Sequence, residues 1–160
     1  TGVQTCALPI SAHDFAVIAR REVMSWPPGS HASTFGGNPI ACRAAQATIR
    51  LLDEGLTENA RVVGAYFKQR LEELARKHDV IGDVRGLGLM VATEIVKSKA
   101  TRERAPELRN RLELEAFKLG LLILGCGENT IRFCPPLVVT RGEVDRCIEL
   151  YDAALLNAVK

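Results

Sequence analysis

Three stretches of the chain carry apolar residues at helical spacing. Val63, Phe67, Leu71 and Leu74 form one stripe, with Lys68, Arg70, Glu73 and Arg76 largely off it. That pattern predicts an amphipathic helix to about Lys77, with Thr57 as its cap. Leu108, Leu112, Ala116 and Leu119 predict a second helix, started by Pro106 and ended by Gly120. Val144, Ile148, Tyr151 and Leu155 predict a last helix, opened by the capping box Thr140-Arg141-Gly142-Glu143. Ahead of these, Asn38-Pro39 opens a helix, because Asn is a good N-cap and Pro loses nothing at the first helical position. This helix runs to about Glu54, with Gly55 as its stop. Its alanines predict close packing against another element.

Between the helices the texture changes. Phe15 to Arg20 reads as a strand or strand end, and Trp26 to Gly37 as loop. Asp83 to Gly88 reads as a turn leading into the strand Leu89–Ile95. Residues 97–105 are polar and basic and read as an exposed loop. Leu121–Leu124 reads as a short buried strand and Gly125–Asn129 as a tight turn. Thr130–Cys134 is its paired strand, stopped by Pro135-Pro136. The expected architecture is α+β, with helices covering one face of a small, mainly antiparallel sheet. No internal repeat occurs at a fixed period.

Composition narrows the class. A length of 160 residues suggests one domain, and 47% apolar with 25% charged residues excludes wholesale disorder. Twenty-one basic against nineteen acidic side chains leave a net charge of +2, too little to argue for nucleic acid or an acidic membrane. The longest nearly apolar run, Leu119 to Cys126, falls far short of the roughly 18 residues of a membrane helix. Five cysteines without a CxxC pair argue against a disulfide framework or a zinc site, so no metal is expected. No basic region precedes an apolar stretch at the start, and a cytoplasmic protein is expected. The first ten residues, TGVQTCALPI, read like a translated sequencing-library adapter, and residues 1–10 are expected to be non-native.

Three segments could carry chemistry. In Ser33-Thr34-Phe35-Gly36-Gly37-Asn38-Pro39, two hydroxyls precede two glycines and a helix start. That combination suits a phosphate or carboxylate, and equally an ordinary capped helix with a flexible entry loop. In Thr130-Ile131-Arg132-Phe133-Cys134, strand alternation puts Arg132 on one face with Thr130 and Cys134. Flanked by large apolar residues, Arg132 reads as held in place. Its guanidinium would fork onto a substrate carboxylate or onto a neighbouring Asp or Glu. The third, Arg85-Gly86-Leu87-Gly88, is half of a dinucleotide fingerprint without the third glycine. Gly125-Cys126-Gly127 fails in the same way. His13, His31 and His78 have no partner at ligand spacing. Cys126, Cys134 and Cys147 have no activating base in view and read as small core residues.

Read in order, four pieces resemble the C-terminal part of the class III aminotransferases. They are Arg20–Met24, Gly29–Pro39, Ile81–Met90 and Glu128–Leu137. Trp26-Pro27-Pro28-Gly29-Ser30-His31 most resembles the 4-aminobutyrate branch, which some amino-acid racemases share. The resemblance covers about residues 16–157. It implies the C-terminal small domain of a fold type I enzyme using pyridoxal 5'-phosphate. Residues 11–37 would be the end of the large domain and the cofactor-phosphate loop, and 38–160 a linking helix and the small domain. Thr34, with Ser33 beside it, matches the cofactor-phosphate threonine, which typically reaches the neighbouring subunit's cofactor in a homodimer. Arg132 matches the clamp on the substrate carboxylate. The substrates implied are an amino acid, 4-aminobutyrate-like or ornithine-like, and a 2-oxo acid. The family's Schiff-base lysine lies upstream and has no counterpart among Lys68, Lys77, Lys97, Lys99, Lys118 and Lys160. The chain alone is therefore expected to be inactive. A racemase on the same scaffold and a non-catalytic anion-binding module are the alternatives.

Overall fold

The computed structural model describes residues 6–11, 14–18, 20–30, 34 and 36–160. It divides into two units, Thr1–Gly55 and Leu56–Lys160. In the first, β1 (Cys6–Ser11) pairs antiparallel with β2 (Asp14–Ile18), and α1 (Pro39–Leu51) follows. The N-cap is Asn38, whose side-chain oxygen accepts from the backbone N–H of Ile40 at 2.9 Å and of Ala41 at 3.3 Å. The small-residue face Ala41, Ala44, Ala45 and Thr48 is only half-buried, and no residue of α1 is fully buried.

Leu52–Leu56 form a kink rather than a clean stop. Gly55 sits there at φ +147°, a conformation that L side chains rarely adopt. The chain then enters α2 (Thr57–Lys77) directly, with Leu56 at the cap position and no side-chain cap bond. Thr57 is thus the first helical residue and not the cap, because the kink already sets the entry direction.

The second unit is one sheet under three helices. Its strands are β3 (Ile81–Leu87), β4 (Met90–Ile95), β5 (Leu124–Cys126) and β6 (Thr130–Phe133), ordered β3-β4-β6-β5 with every neighbour antiparallel. The helices are α2, α3 (Pro106–Lys118) and α4 (Arg141–Val159). The expected α+β architecture is therefore present.

One strand was not legible. Asp83–Leu87, read as a turn, is most of β3. The turn is only Gly88-Leu89, a two-residue hairpin loop with Gly88 at φ +56°. Glycines and charges at 82–86 disguised a strand of which one residue, Ile81, is fully buried. The strand expected at Leu121–Leu124 begins only at Leu124.

The core lies between the helices and one sheet face. Val91, Thr93 and Ile95 of β4 point inward, as do Ile131 and Phe133 of β6. They meet Val63, Phe67, Leu71 and Leu74 of α2, Leu112 and Ala116 of α3, and Val144, Ile148, Tyr151 and Leu155 of α4. Each such large side chain taken fully out of water contributes roughly 1.5–3 kcal/mol. Phe133 stacks edge-on against both Phe67 and Tyr151, at centroid distances of 5.3 and 5.0 Å. Gly64 of α2 packs on Gly88, and a Cβ there would overlap the Gly88 carbonyl. This close contact seats the hairpin tip against α2.

Candidate functional site

The other face of the sheet has no helix of this unit on it. The register places Arg132 opposite Ala92, and Ala92 opposite Arg85. Leu124 of β5 faces Arg132 from the other side. Arg132 is exposed and, among the described residues, its side chain has no hydrogen bond or ion pair. Contrary to the expectation from the sequence, its apolar neighbours do not hold it. Ile131 and Phe133 instead point into the core, as adjacent strand residues must, and leave the guanidinium free.

Arg132 stands at a cleft of ≈ 350 Å³ whose wall is mainly apolar, including Leu122, Leu124, Pro135, Pro136 and Val139. Glu143 also lines this cleft, with its carboxylate bonded to Thr140, and no ion pair joins it to Arg132. A cation left unpaired beside apolar walls favours a ligand carrying a carboxylate on an apolar stem. Cys134 and Cys147 also line the cleft. Burial pushes the Cys147 thiol up to about 11, which keeps it protonated and unreactive at neutral pH. Cys126 and Cys134, expected as small core residues, are exposed. Cys134 is on the Arg132 face and Cys126 at the edge of the β5–β6 hairpin, so neither reaches the core.

Sequence reasoning missed the charges surrounding Arg132. The Arg85 guanidinium donates to Asp83 at 2.9 Å and to the Thr130 hydroxyl at 3.3 Å, and approaches the Glu94 carboxylate at 3.8 Å. Asn129, which is buried, donates to the Ile95 carbonyl at 2.7 Å and to Glu94 at 3.5 Å. The alternation Asp83-x-Arg85 was the available signal, and it was hidden because this segment read as a turn.

Thr34 lies in an exposed turn, followed by Gly36-Gly37 and the cap Asn38. Ser33 lies outside the described residues. Gly37 adopts φ +77° with open space on its Cβ side. Asn38 already takes the N–H groups of Ile40 and Ala41, so this helix start offers an anion fewer free donors than the sequence suggested. The Thr34 hydroxyl and the backbone N–H groups of the two glycines can still donate.

The half-fingerprint at Arg85–Gly88 is strand and hairpin with no helix behind it, so it cannot cradle a phosphate as a dinucleotide loop does. His78 is bound to Asp152 at 2.6 Å, a link between the end of α2 and α4. His13 and His31 lie outside the described residues. Among the described residues, no cluster of three His, Cys, Asp or Glu side chains could hold a metal.

The chain is similar to proteins already known. The family model for class III aminotransferases matches residues 7–155. The acetylornithine aminotransferase of Caldanaerobacter subterraneus is 38% identical over 88% of this chain and 34% of its own length. The leucine/methionine racemase of Thermococcus litoralis is 38% identical over 94% of this chain and 33% of its own. The 4-aminobutyrate aminotransferase of Mycobacterium tuberculosis is 46% identical over 82% of this chain and 29% of its own. Among solved structures, a PLP-bound amine transaminase from an uncultivated Pseudomonas species superposes with a TM-score of 0.75 at 35% identity, over 82% of this chain and 30% of that one. The chain spans about a third of the length of these relatives.

Proposed function

The chain belongs to the class III aminotransferase family, and on that premise we propose that it is the C-terminal part of a pyridoxal-phosphate-dependent transaminase. The intact enzyme moves an amino group between an amino acid, 4-aminobutyrate-like or ornithine-like, and a 2-oxo acid. One observation carries this reading: Arg132, exposed and unpaired among the described residues at the rim of an apolar cleft.

The residues present fit two ends of the reaction. Thr34, with Ser33, would hold the cofactor phosphate through a hydroxyl beside backbone that glycine leaves open. Arg132 would bind the substrate carboxylate by a forked pair of N–H bonds and so orient the amino end. When bound, pyridoxal phosphate supplies an electron-poor ring that accepts charge from the substrate. An apolar substrate stem laid against the cleft walls would displace water there and strengthen the hold of the guanidinium on a carboxylate. None of the six lysines of this chain stands in the expected sequence context for holding the cofactor. The chain alone is therefore inactive, and the reaction takes place in a cytoplasmic homodimer of the complete enzyme.

In that complete enzyme, Thr34→Ala weakens cofactor retention, read as faster loss of bound pyridoxal phosphate on dialysis. Arg132→Ala raises KM for the carboxylate substrate about tenfold or more, the scale of losing a hydrogen bond to a charged group. Unchanged retention and unchanged KM would refute both assignments. The racemase relatives support a second reading on the same site. One enantiomer of an amino acid supplied without any oxo acid separates the two, since only a racemase makes the other enantiomer.

A further inference from the structure

The open sheet face carries two arginines and two carboxylates, and they are not shared evenly. Asp83 pairs in register with Glu94, which sets two negative side chains directly opposite one another. Glu94 in turn pairs with Thr130, two residues before Arg132 and on the same face. Glu94 is therefore a diagonal neighbour of Arg132, roughly 7–8 Å away by backbone, within reach of two long side chains. Yet the ion pairs of both carboxylates go to Arg85, at 2.9 Å for Asp83 and 3.8 Å for Glu94. Arg85 is further tied to β6 through the Thr130 hydroxyl.

We propose that Arg85 is a positioning residue that keeps the Arg132 guanidinium free by holding both carboxylates of its sheet face, Asp83 and Glu94. Its benefit to catalysis rests on the carboxylate-binding reading of Arg132. Without Arg85, Glu94 turns to the nearest remaining cation, and an incoming carboxylate must displace it.

Phenylglyoxal, which modifies free arginine side chains, tests this on the chain itself without cofactor, with peptide mass spectrometry reading each arginine. Arg85→Gln slows modification of Arg132 about two- to fivefold, the occupancy change that a half-exposed ion pair can drive. Arg85→Gln combined with Glu94→Gln restores the rate. An unchanged rate in folded Arg85→Gln overturns the proposal. Unfolding would raise the rate, the opposite sign. Glu94→Gln alone gives a second arm: it leaves the Arg132 rate unchanged, and a faster rate would mean that Glu94 already holds Arg132, which also overturns the proposal.

In the complete enzyme, Arg85→Gln raises KM for a carboxylate substrate by a similar factor, leaves kcat and turnover of an amine lacking a carboxylate unchanged, and is rescued by Glu94→Gln. If modification slows while KM stays fixed, Arg85's hold on the carboxylates stands and the substrate role of Arg132 is lost.

Discussion

The Tyr151 hydroxyl is fully buried, and its partner is the equally buried hydroxyl of Thr93, 2.7 Å away. Burial pushes the phenol far above its ordinary value, so it stays protonated across the physiological range. Tyr151→Phe strands the Thr93 hydroxyl and costs about 1–3 kcal/mol. Thr93→Val with Tyr151→Phe removes both polar partners and recovers most of that loss. Urea unfolding of the two variants checks this, and equal losses would show the hydrogen bond to be irrelevant. Periodicity alone placed Tyr151 on the inner stripe of the last helix. It could not supply the hydroxyl's partner, which lies 58 residues away on a strand.

The last helix is fixed at its start by local chemistry, and α2 and α4 are tied to each other by charge as well as by the core. Thr140 and Glu143 form the reciprocal capping box that the sequence spelled out, with the Thr140 N–H donating to Glu143 at 2.8 Å. Thr140→Ala therefore destabilises the unit by about 1 kcal/mol, measurable by denaturant titration. The link between α2 and α4 was not legible, because its parts are 74 and 75 residues apart: His78 at 2.6 Å and Lys77 at 2.5 Å from Asp152. Partial burial works to raise the Asp152 carboxyl, but its hydrogen bonds to Lys77 and His78 outweigh burial and hold it below its ordinary 3.8. A depressed folded value stabilises the fold above the unfolded value, and that contribution is lost as pH falls through the folded one. Asp152→Asn should thus be less stable than the parent at neutral pH. The gap should close as pH drops below 3.8, and thermal melts across that range test it. A gap independent of pH would remove the charge from the explanation.

For the whole molecule, the apolar surface left in water has a consequence. Leu87 is 90% exposed and Leu122 80%, and Met90 and Leu124 also face solvent. In a chain that spans about a third of its relatives' length, such surface favours self-association. The isolated chain is expected to elute from size exclusion at masses that grow with concentration, and replacing Leu87 and Leu122 by Ser should reduce this. A monomer at every concentration would contradict it. No helix among the described residues is long and apolar enough to cross a membrane.

Sequence alone determined the helices, the inward stripes of α2 and α4, the Thr140 cap and the strand before Pro135. Each is written in residues close together in the chain, where periodicity and capping act. The motif around Arg132 was equally local. Tertiary structure decided that Asp83–Leu87 is a strand, since its extended form is held by pairing with β4 and not by its own glycine-rich propensity. It also decided that Arg132 stands free while Arg85 takes the acids, because that division depends on which strands lie side by side and in what register.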